Sequence, residues 1–164
     1  MTAPASNAAA ASKRPPAVRR ARPDDFEALA DLFDAYRVFY EQPSDPGLAR
    51  RFLAERLERG EAIVFVAPSA EGEGLDGFCL MYPTFCSVVA RPFRWFNDLY
   101  VRPQARDRGV ADALMQAAED DARDAGCARL DLQTAHTNLR AQGLYESRGW
   151  KLDEVFRVYS LALP

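Results

Sequence analysis

Between residues 106 and 111 the chain reads Arg106-Asp107-Arg108-Gly109-Val110-Ala111. This run lies where a half-apolar stretch, RWFNDLYV (94–101), gives way to a helical pattern beginning near Gly109. A helix that starts at such a turn aims unpaired backbone N–H groups and the positive end of its dipole at one point, where phosphates bind well. Gly109 and Ala111 would let a ligand's phosphates come close to the backbone. Arg106 and Arg108 add planar donors matched to phosphate oxygens. The same residues also describe an ordinary strand-to-helix turn with its arginines in solvent. Neither GxxxxGK[ST] nor GxGxxG occurs here, which argues against ATP-loop and dinucleotide chemistry.

Other reactive side chains suggest less. The three cysteines, Cys79, Cys86 and Cys127, have no metal-ligand spacing, and the single histidine, His136, cannot complete a zinc site with them. No metal is therefore expected. An odd cysteine count fits reduced thiols in a cytoplasmic protein. Cys86 and His136 could pair only in space, and no nucleophile signature surrounds either. A loop histidine without a role is the simpler reading of His136.

Elements must position these groups. PAVRRAR (16–22) reads as a first strand, after which Asp24 or Asp25 can cap a helix. That helix carries Phe26, Leu29, Phe33, Tyr36 and Tyr40 on one face. Asp45-Pro46 is a cap and first-turn pair for a second helix ending near Gly60. EAIVFVA (61–67), FCLMY and RWFNDLYV (94–101) follow as strands. A helix from about Gly109 to Ala125 comes next, stopped by Gly126. ARLDLQT (128–134) alternates like a half-buried strand, Asn138 can cap a helix through Glu146, and VFRVYSLAL reads as a long closing strand. The order β, α, α, β, β, β, α, β, α, β specifies one mixed α/β domain over residues 16–164, behind a flexible tail at 1–15.

Composition narrows the partners. Of the 164 residues, 48% are hydrophobic, enough for a globular core, and no apolar run approaches the ~20 residues of a membrane helix. Residues 1–23 hold five bases and no acid, which leaves 16 bases against 24 acids in the remainder. An acidic body disfavours nucleic acid as a partner and suits a cationic substrate; it equally describes a plain acidic surface.

Two motifs together carry a resemblance. NDLYVRPQARDRGVADALM is similar to the acyl-coenzyme A motif of the GNAT superfamily of N-acetyltransferases, [QR]-x-x-G-x-[GA], here Arg106 to Ala111. NLRAQGLYESRGW resembles the superfamily's second motif, with Asn138, Ala141, Tyr145, Glu146 and Gly149 in place. Polyamine and other small-amine acetyltransferases, and fungal histone or D-amino-acid acetyltransferases, are the members most resembled.

The resemblance implies a GNAT fold. Its central sheet is mixed, mostly antiparallel, splayed between the fourth and fifth strands and flanked by about four helices. It implies acetyl-CoA as donor, a primary amine of a small molecule as acceptor, direct transfer in a ternary complex, and a homodimer. Backbone groups of Leu99, Tyr100 and Val101 would pair with the pantetheine arm. The N–H groups of Asp107 to Ala111 would hold the pyrophosphate, while Asn138 and Ala141 would flank the arm. Tyr145 would protonate the leaving thiolate, or would simply pack in the core. Asn97 stands where polyamine relatives carry a basic glutamate. Its neighbour Asp98 should face the opposite side of the strand, acting through water or capping a backbone group. Tyr40 and Glu41 would gate the acceptor, or form a solvated helix end. A protein amine as acceptor, or a non-catalytic acyl-CoA sensor, are the alternatives.

Overall fold

The computed structural model describes residues 16–163; the tail expected at 1–15 lies outside them. The chain divides into two compact units, one running through Asp131 and one from Leu132 onward.

The first unit contains β1 (Arg19–Arg20), α1 (Phe26–Phe39), α2 (Pro46–Glu58), β2 (Ile63–Pro68), β3 (Leu75–Cys86), β4 (Arg91–Val101), α3 (Val110–Asp124) and β5 (Leu130–Asp131). The strands form one sheet in the order β1-β2-β3-β4-β5. Neighbours are antiparallel except β4 and β5, which run parallel. The mixed, mostly antiparallel α/β sheet expected from sequence is therefore present. Its β5 is shorter than the expected 128–134, because it pairs with β4 only at Arg94–Leu130 and Trp95–Asp131. The sheet thus opens between its fourth and fifth strands.

Local chemistry explains the helix starts. The Asp45 carboxylate accepts the Leu48 N–H at 2.9 Å, and Pro46 opens α2 with a fixed φ. Asp25 stands at the corresponding place before α1 but does not cap it. Its carboxylate instead takes the Arg19 guanidinium at 2.6 and 2.8 Å and the Arg22 N–H at 2.7 Å. Those contacts hold its carboxyl below the usual carboxylate range, the Arg19 hydrogen bond being the main cause. Asp34, buried in α1, accepts from Ser44 Oγ at 2.6 Å and from the Asp45 N–H at 2.8 Å. It thereby ties the α1–α2 loop to the helix that ends at Phe39.

Helices cover both faces. Leu29 and Phe33 of α1 and Leu53 of α2 pack with Phe78 and Leu80 of β3 in one apolar cluster. Alternation along β3 turns Cys79 and Met81 the other way. There Cys79 Sγ lies 3.7 Å from the Leu114 carbonyl of α3, and burial pushes the thiol up to about 12. Asp121 clamps α3 onto the sheet, with Oδ1 2.8 Å from Arg20 and Oδ2 3.1 Å from Arg94. Arg94 retains only 12% side-chain exposure, so removing its anion leaves a cation in a poorly solvated place. We expect Asp121→Ala to cost about 2–3 kcal/mol, lowering Tm by roughly 5–10 °C in a thermal melt. An unchanged Tm would show the clamp to be dispensable.

The second unit contains α4 (Leu139–Ser147), capped by the Asn138 side chain, which accepts the Ala141 N–H at 3.3 Å. The closing strand expected at VFRVYSLAL does not form; residues 151–163 join no ladder. Asp153 Oδ1 accepts the N–H groups of Val155 and Phe156 at 2.8 and 2.9 Å. This local side-chain turn competes with an extended strand. Val155, Phe156, Val158, Tyr159 and Leu161 are left 70–87% exposed.

Candidate active site

The register between β3 and β4 breaks once. Leu80 pairs with Asp98 and Met81 with Phe96, so Asn97 is an extra residue, a β-bulge. The bulge sends Phe96 with Met81 toward α3, and Asp98 with Leu80 toward α1. Simple alternation places Asn97 and Asp98 on opposite faces. The bulge instead turns the Asn97 amide onto its neighbour, where Nδ2 donates to Asp98 Oδ1 at 2.9 Å.

Beyond the bulge, β4 continues through Val101 after its pairing with β5 has ended. The Arg102 N–H donates to the Asp76 carbonyl at 3.0 Å, and antiparallel strands alternate bonded and non-bonded pairs. Tyr100 therefore spends its backbone groups on β3, while those of Leu99 and Val101 point to the open side. Of the three residues expected there, Leu99 and Val101 form the free edge. A close approach sets this geometry: a Cβ on Gly77 would lie 2.6 Å from the Tyr100 carbonyl.

The edge leads to the start of α3. Asp107 and Gly109 both adopt left-handed φ, +61° and +79°. Gly109 provides no side-chain cap, and the first helical bond runs from the Ala113 N–H to its carbonyl at 3.0 Å. The N–H groups of Val110 and Ala111 thus have no acceptor inside the helix. Among the described residues, a Cβ at Gly109 would meet only Pro16 Cδ, at 3.9 Å, so none of them fills the approach to these groups. Diphosphate oxygens fit such a cradle. The two arginines are not loose in solvent. Arg106 Nε donates to the Val101 carbonyl at 3.1 Å, and its guanidinium sits 5.8 Å above the Phe39 ring. Arg108 pairs with Glu71 at 2.6 Å on the surface, a contact weakened by solvent screening.

Asp98 is 3% exposed. Burial holds its carboxyl above the usual carboxylate range, and hydrogen bonding from Tyr36 and Asn97 opposes that shift. Tyr36, on α1, is in turn raised by burial and by the Asp98 charge. Tyr82, on β3, is pushed up to about 12 for the same two reasons. The Tyr36 ring lies 5.0 Å from that of Tyr40 and 6.3 Å from that of Tyr100. Tyr40 and Phe39 form an exposed rim at the end of α1, and the exposed Glu41 follows with φ +61°. Tyr36 and Tyr82 were not among the site residues expected from sequence. For Tyr36 the available signal was a second tyrosine, Tyr40, one turn away on an otherwise apolar helix face; nothing comparable marked Tyr82.

Within the second unit, Tyr145 is half-buried on α4, its ring 6.1 Å from that of Trp150. Asn138 and Ala141 are joined by the capping bond, and His136 is exposed in the preceding turn. Among the described residues no group of three or more His, Cys, Asp and Glu side chains could hold a metal ion.

Residues 27–150 match the model of a family described as acetyltransferase (GNAT). The chain is 42% identical over 147 residues to the uncharacterized N-acetyltransferase YhfO of Bacillus subtilis, covering 90% of this chain and 97% of that one. It is 29% identical to the D-amino-acid N-acetyltransferase HPA3 of Saccharomyces cerevisiae, over 84% of this chain and 86% of the relative. The crystal structure of a probable acetyltransferase superposes with a TM-score of 0.85 at 37% identity, covering 90% and 98% of the two chains.

Proposed function

Since the chain belongs to the acetyltransferase (GNAT) family, we propose that it moves the acetyl group of acetyl-CoA to a primary amine of a small molecule, by direct transfer in a ternary complex. One observation carries this reading: a buried carboxylate stands at a strand bulge, immediately before a free sheet edge that runs into an uncapped, glycine-started helix. A thioester donor bound along that edge supplies an activated acetyl carbon.

The chain's residues then have distinct tasks. The edge groups of Leu99 and Val101 hold the donor's arm as an added strand would, with the Val101 carbonyl shared with Arg106. The N–H groups from Asp107 to Ala111, with Arg106 and Arg108, take the diphosphate. Asn138 and Ala141, by their place in the second motif, flank the arm. Asp98 accepts the proton of the acceptor amine, and its burial, which raises its proton affinity, suits that role. Asn97 keeps Asp98 oriented rather than acting as the base itself. Tyr40 and Glu41 gate the amine, and Tyr145 returns a proton to the departing thiolate.

Relatives such as the yeast D-amino-acid enzyme support a small amine acceptor. The exposed apolar residues after Asp153 support assembly as a homodimer, and three free thiols fit a reducing cytoplasm. The reading is tested by following thiol release from acetyl-CoA across a panel of small amines, with amine-dependent release expected. Binding of acetyl-CoA without turnover on any amine or peptide would instead favour a sensor. Within the reading, Tyr145→Phe lowers kcat about a hundredfold with acetyl-CoA affinity unchanged; an unaltered kcat removes Tyr145 from the chemistry.

A further inference from the structure

A half-buried cation calls for an anion, because water solvates it poorly. Seven arginines of the first unit are half-buried. Six of them, Arg19, Arg37, Arg50, Arg56, Arg94 and Arg102, have a carboxylate within 3.4 Å. The seventh, Arg106, has none among the described residues. Two uncharged groups hold it instead. Its Nε donates to the Val101 carbonyl at 3.1 Å, and its guanidinium lies 5.8 Å from the centroid of the Phe39 ring. No described residue accepts from either Nη group, so donors suited to an anion are unspent. Phe39 is the last residue of α1 and is 56% exposed, so it adds little to the core. Its ring is braced all the same. It meets Tyr40 edge to face at 5.2 Å and Tyr100 at 6.4 Å. Tyr100 belongs to β4, the strand whose free edge ends at Val101. Both groups that hold Arg106 are thus tied to that strand.

We infer that Phe39 is the positioning residue for Arg106. Its ring face and the Val101 carbonyl hold the guanidinium where the free edge meets the start of α3, with the Nη groups open to the donor's diphosphate. The inference rests on the acetyl-transfer reading and adds to it a residue outside both sequence motifs. What the ring supplies is preorganisation. A loose arginine loses rotamer freedom when a phosphate immobilises it, and a ring that restrains it beforehand removes part of that cost. A cation is attracted only weakly to an exposed ring, so the gain in affinity is roughly threefold. The sign is diagnostic: a ring that positions the guanidinium tightens diphosphate binding, whereas a ring that competes for it weakens binding.

Coenzyme A carries the diphosphate without an acetyl group to transfer, so calorimetry on the full chain reads its binding without turnover. Phe39→Leu, which keeps apolar bulk and deletes the ring, should weaken binding about threefold. Phe39→Tyr should bind as the unaltered chain does. In a chain carrying Arg106→Met, Phe39→Leu should cause no further loss. Unchanged or tighter binding in Phe39→Leu overturns the inference, as does a loss that tyrosine fails to prevent or that persists beside Arg106→Met. Nitrogen-15 relaxation at Arg106 Nε in the free chain needs no ligand. Its order parameter should fall in Phe39→Leu and stay high in Phe39→Tyr. An order parameter that Phe39→Leu leaves unmoved defeats the positioning role whether or not coenzyme A binds. Absence of coenzyme A binding to the unaltered chain defeats the acetyl-transfer reading; binding that Phe39→Leu leaves unchanged defeats only the role of Phe39.

Discussion

Asp98→Asn is expected to lower kcat/KM by a hundredfold or more while leaving the fold as stable as before, or more stable. The two effects share one cause. Burial raises the Asp98 carboxyl above its ordinary value, so the folded chain holds that proton more tightly than the unfolded chain does. The sign of the linkage follows: stability falls as pH rises through the ordinary carboxylate range toward the folded value, and the full penalty persists above it. An amide is never ionised and escapes that penalty. Its oxygen can still accept from the Asn97 amide, now at 2.9 Å from the carboxylate. Thermal melts should show Tm unchanged or higher by roughly 2–4 °C at pH 8, with a smaller gain at pH 5. The amide can no longer take the acceptor's proton, so turnover is lost in a fold that is intact. A Tm several degrees lower, with activity retained, would mean that Asp98 is a structural acid.

The second large effect is expected at the start of α3. Gly109→Glu places a carboxylate where the donor's diphosphate would sit, and acetyl-CoA affinity should fall at least about a hundredfold by calorimetry. Two causes need separating. At φ +79° any side chain is strained, by roughly 1–2 kcal/mol. Gly109→Ala carries that strain without the charge, and a Cβ has room there, its nearest neighbour among the described residues being Pro16 Cδ at 3.9 Å. The alanine variant should therefore lose under about tenfold in affinity. Equal losses in the two variants would assign the effect to the backbone, and retained affinity in the glutamate variant would contradict the cradle.

Much of the architecture could be read from local pattern. Asp45-Pro46 and Asn138 announced helix starts because capping is a contact over three residues, and both side chains make it. The turn from Arg106 to Ala111 was legible because Gly109 alone in that run adopts a left-handed φ without a steric penalty, and the helical pattern begins directly after it. What escaped depends on partners distant in sequence. Asp25 looked like a cap, but Arg19 competes for it. The bulge at Asn97 is invisible to alternation, since an extra residue shows itself only against the paired strand. Missing the bulge meant separating Asn97 from Asp98, which the fold brings together. Tyr36 was placed on an apolar face, and there it packs against the core cluster, its ring 6.3 Å from that of Tyr100. The closing segment alternates like a strand, but a strand requires a partner edge, and the turn at Asp153 satisfies its backbone locally.

The central claim is direct transfer from an edge-bound donor to an amine deprotonated at Asp98, without a covalent enzyme intermediate. Initial velocities of thiol release, with acetyl-CoA and a small primary amine both varied, test it most directly. The account predicts amine-dependent release and double-reciprocal lines that intersect, as a ternary complex requires. Parallel lines, which report an acylated enzyme, or release indifferent to every amine, would contradict it.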